Sequence, residues 1–208
     1  DKLECQLKAA LETGCRWCYG GFELVDETGK TIPPKAGRYK PLSGDITRSL
    51  LTHEATAIIC TLLVERNMFQ QLEGFSTDER LRYRGDYEFV LRLSREAEAV
   101  ALPQCLARVL EHPGRVTHSI GYGYEKSVAP YDIFLEKEPD PALRKIAREQ
   151  RAWLLSEAAV RRAAGSDYTT AFRQLGWSMG TDRWGHWVSA CYRSFKTVLK
   201  KKKPVPKP

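Results

Sequence analysis

The sequence lacks any apolar run that approaches the roughly 18 residues a membrane-crossing helix needs. It also lacks an internal repeat of about 20 to 50 residues. These absences argue against an integral membrane protein, a collagen and a coiled coil. Hydrophobic residues make up 42% and charged residues 28% of the 208 positions, which predicts a packed core rather than a disordered chain.

Cysteine is also scarce, with six residues in the whole chain. Cys15 and Cys18 form a C-x-x-C pair, but no second pair follows at the spacing of a zinc ribbon, so we do not expect structural zinc or a redox role. Cys60 and Cys105 lie in apolar segments and are predicted to be small core residues. The pattern, without a secretory signal, is typical of a reducing, cytoplasmic compartment.

Positive charge is concentrated at one end of the chain. The formal net charge is +7, yet residues 196–208 alone contain six lysines and no acid. The remainder is therefore close to neutral, which argues against a nucleic-acid-binding body. A nucleic-acid module would rest on Lys200–Lys203 alone, and we expect no such partner.

Hydrophobic spacing and turn residues predict an α/β organisation for the first part of the chain. The predicted turn at Asp26–Lys30 uses Gly29 for a positive φ, and Asp45 is the expected cap of a short helix. The predicted helices cover residues 1–13, 44–51, 66–72 and 86–95. The predicted strands cover residues 16–26, 56–64 (buried on both faces), 99–102 and 105–111, the last two separated by Pro103.

Residues 124–199 contain no convincing strand pattern and predict three or four helices. The longest covers residues 141–164 and ends at Gly165-Ser166-Asp167, which also caps the next helix. We therefore expect a boundary near residue 125. It would divide an α/β domain (1–125) from a helical extension (126–199) and a basic Lys/Pro tail (200–208).

Short motifs follow one another in the α/β part in a distinctive order. They are Leu3-Glu4-x-Gln6, then Tyr19-Gly20-Gly21-Phe22, then Leu63-Val64-Glu65-Arg66-x-x-Phe69 with Glu73-Gly74-Phe75, then Gly85-Asp86-Tyr87-Glu88-Phe89-x-Leu91-Arg92-Leu93, then Arg108-x-x-x-His112. This order resembles the C-terminal half of an inverting family 2 glycosyltransferase of the GT-A fold, over about residues 1–120. The matching family motifs are K-L-x-x-Q, L-V-R-R-x-x-F-x-x-x-G-G-F-D, G-E-D-Y-D-L-W-L-R-L and R-x-H.

The resemblance implies a transfer reaction and assigns roles to four residues. Asp86 would be the general base, Gly74 and Phe75 would line the acceptor site, and His112 would approach a divalent metal (Mg or Mn) or the diphosphate. The implied partners are a nucleotide-sugar donor and a sugar or lipid-linked acceptor, in glycan or polysaccharide biosynthesis. The superfamily's processive Q-x-x-R-W motif is absent, so we expect one sugar to be transferred per encounter.

Two departures from the family pattern qualify this expectation. The family's nucleotide-binding half, with its D-x-D metal motif, would precede Asp1, so we expect this chain to be inactive by itself. The family's Glu-Asp pair is Gly85-Asp86 here, which puts in question the geometry around the base and the choice of acceptor. Donor nucleotide, donor sugar, acceptor and linkage are not encoded in this part.

The chemistry explains why an aspartate is needed. Inverting transfer is an in-line displacement at the anomeric carbon, and the attacking hydroxyl is a poor nucleophile until a carboxylate takes its proton, an effect worth roughly 10²- to 10⁴-fold. The departing nucleoside diphosphate gains charge that a divalent metal stabilises. An aspartate at the start of a helix is also favoured in its charged form by the helix dipole.

Each candidate residue has a structural alternative. Asp86 is also a good helix cap, His112 before Pro113-Gly114 also fits a surface turn, and Gly74-Phe75 also fits a tight turn beside a core aromatic. We interpret Arg115 and His118 as solvated loop residues rather than phosphate ligands, and His53 as structural.

Aromatic and apolar residues recur at three- and four-residue steps near the C-terminus, directly before Lys200–Lys203. They fit either a helix packed on the body or an interfacial helix on an anionic bilayer. The second interpretation predicts peripheral contact with the inner membrane face through residues 183–203. The alternative to a transferase is a non-catalytic fragment or scaffold of the same fold.

Overall fold

The computed structural model describes residues 1–33, 39–114, 127–164, 167–178 and 192. The chain divides into two compact units, Asp1–Ser119 and Ile120–Pro208. The predicted boundary near residue 125 falls in residues 115–126, outside the described part, and stays a prediction. The first unit is mixed α/β and the described residues of the second are helical.

Helix α1 (Lys2–Thr13) confirms the predicted first helix, and its ends explain its limits. Asp1 and Glu4 form a reciprocal capping box at the start, while Gly14 ends the helix in the left-handed conformation (φ 67°). The leucines that predicted the helix are not buried, however, since Leu11 is 77% exposed. Its one buried residue is Gln6, whose amide Nε2 donates to the carbonyl of Thr61 at 2.9 Å.

The sheet is built around strand β1 (Trp17–Val25), which confirms the predicted strand. Strands β2 (Thr31–Ile32) and β3 (Leu63–Val64) pair antiparallel with its two ends, and β4 (Val100–Leu110) runs parallel along its length. The turn between β1 and β2 places Gly29 at φ 82°, as predicted. A mixed four-stranded sheet results, with β1 in the middle.

Strand β4 corrects the prediction of two strands separated by Pro103. The strand is continuous, and its register against β1 shifts between Gly20 and Phe22, where Leu102 is opposite Gly20 and Cys105 is opposite Gly21. Pro103 lies in this irregularity, where its missing amide hydrogen removes no ladder bond. The proline thus lies within the strand without ending it.

The buried strand predicted over residues 56–64 is wrong. Within this range only Leu63–Val64 is a paired strand; Ile59–Thr61 forms a 3-10 turn, and Ile59 is 44% exposed. Cys60 and Cys105 are both exposed, so their assignment to the core is also wrong. The apolar composition of the run was therefore a poor guide, because residues 56, 59 and 60 are exposed while only Thr61 and Leu62 are buried.

Three more helices complete the first unit: α2 (Thr47–Leu51), α3 (Arg66–Gln71) and α4 (Gly85–Glu96). The predicted helices at these places are confirmed to within a few residues. Asp45 lies just before the N-cap of α2, and its carboxylate accepts from the amide of Thr47 at 3.0 Å. The core of the first unit consists of fully buried large residues, chiefly Trp17, Tyr19, Leu50, Leu51, Phe89, Val90 and Leu93.

The second unit contains α5 (Ala129–Lys137), α6 (Pro141–Ala164) and α7 (Tyr168–Ser178). The long predicted helix over 141–164 is confirmed, and Asp167 caps α7 by accepting from the amide of Thr170 at 3.2 Å. Helices α6 and α7 pack through small apolar residues, Ala159, Ala163, Ala171 and Leu175.

The predicted α/β class is confirmed in coarse form, as a small mixed sheet with helices and a helical second part. In the part of the chain that the structure describes, no helix combines the length and apolar character that crossing a bilayer requires.

We predict that Gly20→Ala lowers the free energy of unfolding by about 1–3 kcal/mol, because the added methyl has no room. Its Cβ would lie 2.4 Å from Leu106 Cδ1 and 3.2 Å from the carbonyl oxygen of Gln104. The control is Gly85→Ala, where a Cβ meets nothing within 4 Å and helix propensity favours alanine by up to about 1 kcal/mol. Urea denaturation measures both; equal stabilities would contradict the close approach of β1 and β4.

Candidate functional site

Asp86 lies in the first turn of α4, on the surface of the first unit. The helix begins at Gly85 with Arg84 at the N-cap, so the predicted capping role of Asp86 is wrong. Instead, its Oδ1 accepts from the amide of Tyr87 at 2.8 Å. Among the described residues its second oxygen has no hydrogen-bond partner. An exposed carboxylate with a spare oxygen at a helix N-terminus can accept a proton or a hydrogen bond from a ligand.

A groove of about 840 Å³, open to solvent, lies beside this carboxylate. It is lined by residues 75–79, 81–83, 85 and 86. The groove thus brings together Phe75 and Asp86, two of the residues that the sequence predicts for the site. Its volume is within the range of typical small-molecule sites.

Phe75 is held at the groove by an aromatic cluster. Its ring lies 4.8 Å from that of Phe89 on α4 and 5.9 Å from that of Phe69 on α3, centroid to centroid. The ring is nevertheless 45% exposed. One face of Phe75 is therefore fixed against α3 and α4, while the rest is available to a ligand.

Gly74 lies against the ring of Phe69, in the same aromatic cluster, and does not itself line the groove. Glu73 and Gly74 both have positive φ, at 57° and 64°, and a Cβ on Gly74 would lie 2.9 Å from Phe69 Cζ. Only glycine suits both the left-handed backbone and the close contact with the ring. Gly74 is not among the residues that line the groove, and its role in acceptor binding stays a prediction.

A buried ion pair ties this turn to α4. Glu88 is 3% exposed, and both its oxygens accept from Arg92, Oε1 from Nε at 2.7 Å and Oε2 from Nη2 at 2.9 Å. The same guanidinium donates to the carbonyls of Leu72 and, at 2.7 Å, Gly74. Arginine alone can make these bonds together, because its planar group presents five donors. We call this set the Glu88–Arg92 clamp.

The groove carries charge of both signs. Asp78 forms an ion pair with Arg80, in which Oδ2 accepts from Nη2 at 2.7 Å. The Asp78 side chain also caps the 3-10 turn Glu79–Leu81. The guanidinium of Arg82 lies 5.6 Å from the ring centre of Tyr83. Acids, bases, hydroxyls and aromatic rings in one open groove suit a ligand with many hydroxyl groups.

His53 lies against the start of α4. Its ring stacks on Tyr87 with centroids 5.7 Å apart, and Tyr87 Oη donates to the carbonyl of Leu50 at 2.9 Å. Although part of the His53 side chain is exposed, its burial and then the positive charge of Arg84 lower the pKa of the imidazole. The backbone is left-handed at this residue (φ 60°). These contacts agree with a structural role.

The remaining predicted residues do not join the groove. His112 lies in the turn after β4 and is not among the lining residues.

Cys15 and Cys18 are unbridged thiols. Burial, and after it the neighbouring Cys15, raises the pKa of Cys18 to about 11. Arg115 and His118 lie outside the described residues. In the described ranges, no three His, Cys, Asp or Glu side chains converge as a metal site.

Sequence reasoning missed several residues that the structure brings to the site. Arg82 and Tyr83 line the groove, and Glu88 and Arg92 brace it. Glu88 and Arg92 are four residues apart on a predicted helix, and this spacing favours an ion pair. Nothing in the sequence indicated that Arg92 would also reach the carbonyls of the preceding turn.

Comparison with models of known protein families finds none that matches the chain, and comparison with curated proteins finds no match. The functional interpretation therefore depends on the groove and its residues.

We predict that Arg92→Ala costs about 3 kcal/mol or more of unfolding free energy, because it leaves the Glu88 carboxylate buried without its partner. Arg92→Lys should recover only part of this loss, since an ammonium cannot span the carboxylate and both carbonyls. Arg108→Ala is the matched control: its pair with Glu23 is at the surface, with Arg108 59% exposed, and should be worth at most about 1 kcal/mol. Urea denaturation measures the unfolding free energies. Equal losses at Arg92 and Arg108 would show that the Glu88–Arg92 clamp stabilises the fold no more than a surface ion pair does.

His53 gives a prediction about pH. A histidine whose pKa is lowered by folding stabilises the fold fully above its ordinary value of about 6.5, and that contribution is lost as the pH falls below it. His53→Asn keeps a residue that tolerates the left-handed backbone and removes the titration. Between about pH 7 and pH 5 the stability of the variant should fall less steeply than that of the wild type. Parallel curves from urea denaturation at a series of pH values would refute the assignment.

Proposed function

We propose that this chain is the acceptor side of an inverting glycosyltransferase, in which Asp86 is the general base. The enzyme would move a sugar from a nucleoside-diphosphate donor to an acceptor hydroxyl. The observation that carries the proposal is the carboxylate of Asp86, exposed at the edge of an open groove and engaged only by the amide of Tyr87 among the described residues.

In the proposed reaction this carboxylate accepts one proton. As the acceptor oxygen bonds to the anomeric carbon, its hydrogen passes to Asp86, and the electrons of the breaking bond leave with the nucleoside diphosphate. The free Asp86 oxygen is the acceptor for that proton. The first turn of α4 would hold the charge before transfer through its aligned amides.

The groove composition supports a sugar as the acceptor. Phe75 and Tyr83 offer ring faces to the apolar C–H faces of a sugar, while Ser76, Thr77 and Glu79 offer hydrogen-bond partners to its hydroxyls. Asp78 is occupied by Arg80, so it orients the wall rather than acting as a second base.

A GT-A architecture is part of the proposal. Its support is the sheet in which β4 runs parallel to β1 after α4, so that the helix carrying Asp86 directly precedes a strand of the sheet. The divalent metal is likewise proposed only from the resemblance. The described residues do not form a metal site, so no ligand is assigned among them, and His112 as a metal contact stays a prediction.

Gly85 bears on the departure from the family's Glu-Asp pair. A side chain added at this position meets nothing within 4 Å, and an acid in the first helical turn is favourable. The backbone therefore does not require glycine here. Gly85 also lines the groove. Where the family has a glutamate, this chain therefore has one carboxylate fewer at the edge of the groove.

The test uses the longest natural form of the protein that contains this chain, with a panel of nucleoside-diphosphate sugars and simple sugar acceptors. Asp86→Asn should lower turnover at least about 100-fold with a smaller change in KM, because the amide keeps the shape of the side chain and loses the base. Release of nucleoside diphosphate and formation of glycosylated product are the measurements.

Glu27→Gln is the matched control, since it makes the same change at an exposed carboxylate outside the groove, in the turn between β1 and β2, and should leave turnover within about threefold. Wild-type turnover in Asp86→Asn would remove this residue from the mechanism. Turnover absent from the wild type with every donor would favour the non-catalytic scaffold instead.

A further inference from the structure

We infer that the exposed side of helix α7 is a binding surface for an anionic lipid bilayer. The surface consists of Tyr168, Phe172, Arg173 and Trp177, and we call it the aromatic face of α7. Phe172 is 74% exposed and Trp177 56% exposed. Contiguous patches of exposed apolar side chains mark surfaces that bind proteins or membranes.

The periodicity of α7 separates its two sides cleanly. Ala171, Gln174 and Leu175 are buried against α6, while residues 168, 169, 172, 173, 176 and 177 are exposed. At 3.6 residues per turn the buried residues cover about 100° of the circumference, and the exposed ones, with the aromatic residues among them, cover about 180°. This is the distribution of an interfacial helix, in which aromatic rings enter the boundary between headgroups and acyl chains.

The charge of α7 and of the sequence after it indicates what kind of surface the aromatic face of α7 would bind. Arg173 lies beside Trp177, with its guanidinium 5.3 Å from the ring centre, and α7 contains no acid. Residues 168–208 contain nine Lys or Arg and a single acid, Asp182. Their net +8 exceeds the +7 of the whole chain and leaves residues 1–167 at −1. The excess positive charge therefore lies entirely in the segment that begins with α7.

The size of the face favours a bilayer over a second protein. An 11-residue helix is about 16 Å long and about 10 Å wide, far less than the roughly 800 Å² that each partner of a stable protein complex buries. Shallow insertion into a headgroup region needs no such area. Each basic residue near an anionic surface raises partitioning by roughly fivefold.

The predicted membrane contact through residues 183–203 lies outside the described residues, apart from Tyr192, which is 63% exposed. The aromatic face of α7 is thus a separate surface, defined by described side chains. It does not depend on the proposed transferase activity.

The test is co-sedimentation of the full chain with vesicles made of equal parts phosphatidylcholine and phosphatidylglycerol, or of phosphatidylcholine alone. We expect binding to the anionic vesicles, weakened by salt, and little binding to the neutral ones. Phe172→Ser with Trp177→Ser should lower partitioning at least about tenfold, and Arg173→Gln roughly fivefold. Leu11→Ser, at a residue 77% exposed in the other unit, should change partitioning less than about twofold.

Three outcomes would overturn the inference. They are full binding by the double variant, equal binding to neutral and anionic vesicles, and a concentration-dependent dimer, measured by ultracentrifugation, that the double variant abolishes. The last would identify the face as a contact between two copies of the chain. Helical circular dichroism checks that each variant folds, and the exposed positions should leave it unchanged.

Discussion

The first unit depends on one buried carboxylate and the arginine that neutralises it. A charge as enclosed as that of Glu88 is tolerated only when it is paired and hydrogen-bonded, and Arg92 supplies both conditions one helical turn away. The guanidinium has donors to spare, and it uses them on the carbonyls of Leu72 and Gly74. Helix α4 and the turn after α3 are therefore held together as a single piece.

This connection gives the groove its shape. The turn cannot move away from α4 without breaking two hydrogen bonds to a charged group, each worth more than a neutral one. Phe75 follows the turn directly and packs on Phe89, one residue after Glu88. The aromatic wall of the groove and the start of the helix that carries Asp86 are consequently positioned by the same clamp. A site built on braced elements holds its groups more precisely than one on free loops.

The two units of the chain carry different kinds of surface. The first contains the open groove, with polar and aromatic groups suited to a small hydroxylated ligand. The second contains an aromatic helix face and, from its sequence, all of the excess basic charge. The groove belongs to the proposed transfer reaction and the helix face to the proposed membrane contact, and each proposal can be tested without the other. If both proposals hold, the protein transfers sugar while associated with an anionic bilayer.

The sequence alone determined the local elements. Capping residues and spacing were sufficient for α1, β1, the turn at Gly29 and the long helix α6, because these depend on neighbouring residues. Asp86 and Phe75, which the order of motifs selected, both line the groove, and their roles stay predictions. Only the tertiary structure showed that residues 56–64 are not a buried strand, that Cys60 and Cys105 are exposed, and that Pro103 lies within one continuous strand. It also showed that Arg92 reaches back 20 residues to Leu72. Burial and long-range hydrogen bonds depend on which distant segments meet, and no local pattern specifies that.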